Sequence, residues 1–169
     1  YIMLIVLIKN QGRTGAGKML YPLKFKKVFH EKIWGGRALE TKLGLNIPEG
    51  KKIGEAWIVS AHPNGMSIIE NGEFAGETLQ EILDKYKAEL VGEKIYEKYK
   101  NRFPLLIKYL DINDRVSIQV HPDDDYSLKY ETELGKSECW YILDSAKNTK
   151  VILGMKPEHD FFNAIELAK

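Results

Sequence analysis

QVHPDDDYSLKYETELGKSECW, residues 119–140, decides the reading of this chain. Gln119 and His121 stand two apart, and Glu138 follows beyond an acidic, turn-rich stretch. An amide oxygen, an imidazole and a carboxylate are donors that a borderline cation such as zinc accepts. Four protein ligands, or three plus water, complete such a site, so these three make the start of one. The surrounding pattern is β. In a strand over 116–121, Ser117, Gln119 and His121 share one face while Val116, Ile118 and Val120 take the other. In a later strand over 138–143, Glu138 and Trp140 share a face, which makes Cys139 a small core side chain. On this pattern alone, an ordinary polar sheet face accounts for Gln119 and His121 equally well. Pro122 and the run Asp123–Asp125 end the strand and cap a short helix over 124–130 rather than bind metal.

Composition bounds the rest. A chain of 169 residues, 44% hydrophobic, buries one sizeable core. Lys plus Arg (25) nearly balance Asp plus Glu (24), so no charge excess points to nucleic acid or to a membrane surface. The single cysteine excludes an internal disulfide framework and suits a reducing cytoplasm.

The N-terminal YIMLIVLI falls well short of the roughly 20 apolar residues that span a bilayer. It also lacks the basic flank and cleavage pattern of a signal peptide. Gly12 to Lys18 then fit the G-x-x-x-x-G-K part of a phosphate-binding loop. Met19 stands where that loop needs a hydroxyl for Mg²⁺, and Pro22 stands where its helix should run. Residues 1–18 are therefore read as a non-native leader, with Met19 the natural start.

From Met19 onward the expectation is α+β with many short strands. YPLKFKKVF (21–29) is extended and leads to a turn at Trp34-Gly35-Gly36. GEAWIVS (54–60) alternates as a strand, HPNG (62–65) turns, and Asn71-Gly72 centres a tight hairpin over 68–74. Thr78 and Glu81 make a capping box ahead of an amphipathic helix, and a second helix covers about 92–100. Strands are expected over 103–107, 116–121, 138–143 and 149–153, and a helix from Pro157 to the last residue.

At this point the sequence resembles a family. FPLLIKYLDINDRVSIQVHPDD (103–124) with GKSECWYIL (135–143) is similar to type I mannose-6-phosphate isomerase in its short bacterial form. IWGGRAL (33–39), LGLNIPEGKKIGE (43–55) and GEAWIVSAHPNGMSIIENG (54–72) support the likeness, which covers nearly all of 19–169. The resemblance implies a cupin-type β-barrel or jelly roll with a small helical insertion, truncated at the C-terminus. It implies one zinc ion and interconversion of mannose 6-phosphate and fructose 6-phosphate. Gln119, His121 and Glu138 match the family's zinc ligands, and Ser117 matches a contact to the substrate phosphate. Lys136 matches a lysine of substrate binding or proton transfer; a solvated lysine in a Gly-Lys-Ser turn is the plainer alternative. Trp34 and Glu55 belong to segments matching the pocket wall, as do Trp57, equally a core residue, and His62, equally a turn residue.

The family carries a further histidine ligand and a catalytic arginine later in the chain, and this sequence contains neither. His159, beside Asp160, is the last histidine here and is read as a solvated helix residue. Isomerisation moves a proton between adjacent carbons through an enediol(ate). A cation polarises the oxygens, a base shuttles the proton, and a positive group holds the phosphate. Two functions follow: the isomerase with an incomplete site, or a non-catalytic, metal-dependent cupin that binds sugar phosphates. A P-loop nucleotide hydrolase is a distant third.

Overall fold

The computed structural model describes residues 19–131 and 133–154. Residues 1–18, the helix expected from Pro157, and His159 lie outside the described residues. The described chain divides into two compact units between Val116 and Ser117.

The first unit is built on a three-stranded antiparallel sheet. Its strands are β1 (Val28–Gly36), β2 (Ile53–Val59) and β3 (Ile107–Leu110), with β2 central. Flanked on both sides, β2 buries Ile53, Ala56 and Val59. Ile53 and Ala56 join Leu39, from the one-turn helix α1 (Ala38–Thr41), and Ile47 in one apolar cluster. Trp34-Gly35-Gly36, expected as a turn, instead continues β1 past a register shift after Glu31. The strand expected over 103–107 instead begins at Ile107.

A second apolar cluster gathers Ile69, Phe74 and Ile82. Tyr21 stacks on Phe74 at 5.2 Å, accepts a hydrogen bond from the Phe74 N–H and donates one to the Asn71 carbonyl. The Asn71 amide bonds Lys24 N and Pro22 O, fastening the entering chain. Asn71-Gly72 therefore does not centre a hairpin. It leads into a 3₁₀ turn (Gly72–Phe74), and the flanks meet other segments through isolated bridges, Phe25 with Ile69 and Ile68 with Thr78. Gly72 sits at φ +64°, and a Cβ there would lie 2.5 Å from the Tyr21 ring, so glycine serves packing as well as backbone.

Helix α2 (Leu79–Tyr86) starts at the expected capping box. Glu81 N–H donates to Thr78 Oγ1 at 3.1 Å, and Thr78 N–H donates to Glu81 Oε2 at 2.7 Å. Buried Leu79, Ile82 and Leu83 give it its apolar stripe. Two short helices follow, α3 (Ala88–Val91) and α4 (Glu93–Tyr99), the latter close to the expected span.

The second unit contains helix α5 (Asp124–Tyr130), capped as expected by Asp123, whose carboxylate accepts from Tyr126 N–H at 2.9 Å. The strands expected over 116–121, 138–143 and 149–153 are absent among the described residues. The physical reason is that a strand exists only with a neighbour to share its ladder, and here none is paired. Ile118, Val120, Ile142 and Leu143 are correspondingly exposed. Cys139 is exposed too, which corrects its reading as a core side chain: without a second sheet face there is no interior for it. No helix among the described residues is long and apolar enough to cross a membrane.

Candidate metal centre

Around Glu138 the second unit brings together three of the residues singled out from the sequence, His121, Lys136 and Glu138 itself. His121 Nε2 lies 2.8 Å from Glu138 Oε2, and Lys136 Nζ lies 3.0 Å from the same oxygen. The Trp140 indole N–H donates to the other oxygen, Oε1. Partial burial pushes the Glu138 carboxyl up, but the Trp140 and Lys136 hydrogen bonds, the Lys136 charge and the His121 contact together outweigh it. They hold it at about 2. An ionised carboxylate only accepts, so the His121 proton must sit on Nε2 to donate to it. Two metal-type donors thus face one shared proton.

Gln119 Nε2 donates to Ser117 Oγ at 3.0 Å, confirming that these two side chains sit together; its carbonyl oxygen is the end left for a cation. Among the described residues no group of three or more His, Cys, Asp or Glu comes together as a metal cluster. Among the possible metal donors, His121 and Glu138 meet as a pair. An imidazole, a carboxylate and an amide oxygen fit zinc by chemistry.

The backbone that presents Lys136 is tightly held. Gly135 N–H donates to Asp124 Oδ1 at 3.0 Å, and Lys136 N–H donates to Pro122 O at 3.1 Å. A Cβ at Gly135 would lie 2.4 Å from the Asp123 carbonyl carbon. Only glycine allows this loop to close on the start of α5.

Glu55 and Trp34 lie in the first unit. Glu55 accepts from Trp57 Nε1–H at 2.7 Å and stands 3.6 Å from Lys108 Nζ and 4.0 Å from Lys32 Nζ. Burial pushes the Glu55 carboxyl up, but the Trp57 hydrogen bond and both lysines hold it below its ordinary value. Trp57 packs on the His30 ring at 4.4 Å and meets His62 edge-on at 5.9 Å. His30 Nε2 is buried without a hydrogen-bond partner, and burial lowers its proton affinity. The Trp34 ring lies against Gly54. His30, Lys32 and Lys108 were not anticipated, although the pairing of His30 with Glu55 and of Trp57 with Lys108 follows once the strand register is known.

Residues 22–151 match the model of the type I phosphomannose isomerase catalytic domain. The chain belongs to the type I phosphomannose isomerase family. It is 43% identical to mannose-6-phosphate isomerase of Streptococcus mutans over 136 residues, 80% of this chain and 41% of that protein. It is 44% identical over 137 residues to mannose-6-phosphate isomerase ManA of Bacillus subtilis, 79% of this chain and 40% of the relative. The crystal structure of mannose 6-phosphate isomerase from Bacillus subtilis superposes with a TM-score of 0.64 at 44% identity, over 75% of this chain and 38% of that one. The chain thus spans about 40% of the length of the phosphomannose isomerases it matches. The matched region contains all the site residues considered above, from His30 to Trp140.

The electrostatics give one direct expectation for this member of the phosphomannose isomerase family. In a ¹³C carboxyl titration Glu138 shows its midpoint at about 2, against an ordinary 4.5. Because the folded value is depressed, its stabilisation is complete above the ordinary value and is lost as pH falls from there towards 2. Lys136→Met moves the midpoint up. A midpoint near 4.5 in the unmodified chain means the cluster does not form.

Proposed function

We propose that this chain carries part of the site of a zinc-dependent aldose–ketose isomerase that interconverts mannose 6-phosphate and fructose 6-phosphate in the cytoplasm. Its residues belong to a cupin barrel. The observation that carries the reading is the convergence of His121 and Lys136 on one Glu138 oxygen in a chain of this family. Gln119, His121 and Glu138 are the metal ligands. Zinc bound there supplies Lewis acidity, stabilising negative charge on substrate oxygens as the enediolate develops.

The chain's own residues divide the remaining work. Ser117 accepts from Gln119, so its hydroxyl proton is free to point at a phosphate oxygen. Lys136 is a cation fixed by Glu138, well suited to bind phosphate, and proton transfer is its alternative role. Glu55 and Trp34 contribute to the substrate pocket wall. Trp57 and Lys108 keep the Glu55 carboxylate ionised and oriented.

Binding tests this without requiring turnover. With zinc present, ³¹P NMR of mannose 6-phosphate shows saturable binding to the 169-residue chain. Ser117→Ala and Lys136→Met each weaken it about tenfold, as expected for lost hydrogen bonds to a charged group. Binding that needs no zinc and survives Lys136→Met removes the proposal. Zinc-dependent binding with no turnover even after the family's later segment is restored selects the non-catalytic sugar-phosphate-binding cupin instead.

A further inference from the structure

Glu-x-Trp occurs twice, as Glu55-Ala56-Trp57 and Glu138-Cys139-Trp140, and both copies make the same contact. Trp57 Nε1–H donates to Glu55 Oε2, and Trp140 Nε1–H donates to Glu138 Oε1. The two copies lie in different units and different surroundings. What they share is one indole N–H occupying one oxygen of the carboxylate two residues before it.

At Glu138 the other oxygen is the one that faces His121 and Lys136. A glutamate has three side-chain torsions to fix before it serves as a ligand, and the indole bond fixes the last of them. We propose that Trp140 is a positioning residue for Glu138, engaging Oε1 so that Oε2 is presented beside His121 to the metal. This rests on the reading of Glu138 as a ligand. Packing is a poor explanation for the residue, because Trp140 is 46% exposed. An indole placed for burial alone would also leave its N–H to water, whereas this N–H is spent on the carboxylate. Hydrogen-bond partners that orient a metal ligand typically matter about 10–100-fold in affinity, even though they never touch the ion.

The test uses the 169-residue chain and Zn²⁺ alone. Zinc affinity is measured by competition with a chromophoric chelator, and indole resonances are followed in chain labelled with [¹⁵N]tryptophan. Trp140→Phe keeps the ring and removes the donor. It weakens zinc binding about tenfold while far-UV circular dichroism and Tm stay unchanged. Trp140→Gln, which restores an N–H donor, recovers most of the loss. On zinc addition the Trp140 indole resonance shifts. If Trp140→Phe binds zinc as the unmodified chain does, the positioning role is overturned and the metal centre stands. If the unmodified chain binds zinc no more tightly than His121→Ala, the metal centre itself fails and the role of Trp140 falls with it.

Discussion

His121→Ala removes specific zinc binding from this chain, lowering affinity at least about a hundredfold, while leaving the fold intact. On the proposed reading, the imidazole is one of three donors and the only nitrogen among them. Its loss leaves a carboxylate and an amide oxygen, a pair that suits harder cations better than zinc. Even partners that only orient ligands matter about 10–100-fold, so losing a ligand itself belongs at or beyond the top of that range. Little stability is lost, because the His121 side chain is partly exposed and its polar contact is to the Glu138 carboxylate. A change away from the core is expected to stay within about 0.5 kcal/mol. One electrostatic consequence follows: without the His121 contact, the Glu138 carboxyl rises from about 2, though Trp140 and Lys136 still hold it below its ordinary value. Equilibrium dialysis against Zn²⁺, with Tm measured in parallel, checks both halves. Unchanged zinc affinity in His121→Ala, or a collapse of Tm, contradicts the assignment.

The contrast between residues that were legible in the sequence and those that were not has a local cause. The Thr78–Glu81 capping box and the Asp123 cap were readable because each is a bond between residues three apart, which needs no knowledge of the rest of the fold. Ser117 and Gln119 do meet, through a direct hydrogen bond, although the strand from which their shared face was inferred is absent among the described residues. The proximity of His121 and Glu138, seventeen residues apart, came from family resemblance rather than from periodicity. What failed was long-range. Strands over 116–121 and 138–143 were inferred from alternation, but alternation states which faces differ and not whether a neighbour is present to pair. Cys139 followed the same error, since a core position presupposes a second layer. Asn71-Gly72 has hairpin chemistry, yet Asn71 is bonded to Tyr21, Pro22 and Lys24 of the entering chain, and that tertiary contact sets the local shape. His30, Lys32 and Lys108 escaped notice because only strand register brings them around Glu55.

Supplied with zinc and mannose 6-phosphate, this 169-residue chain forms fructose 6-phosphate at least about a hundredfold more slowly than the full-length Bacillus subtilis relative. The chain spans 40% of that relative. On the proposed reading, the further histidine ligand and the catalytic arginine implied by the family resemblance belong to the portion of the relative that this chain does not span. On the proposed reading of three protein donors, one of them an amide oxygen, an ion here keeps more water and holds the sugar oxygens less firmly. Removing one fixed donor aimed at developing negative charge typically costs about 10²–10³-fold in turnover, before any loss of orientation is counted. The two deficits act on different steps, so they separate experimentally. Saturating zinc repairs occupancy and raises the rate to a plateau, whereas the missing positive charge keeps that plateau low at every zinc concentration. Joining the chain to the remainder of the relative restores turnover, and His121→Ala in the joined protein abolishes it again. A plateau within about tenfold of the full-length relative for the chain alone would mean that Lys136 and the Glu138 cluster suffice for the charge stabilisation here assigned to the arginine.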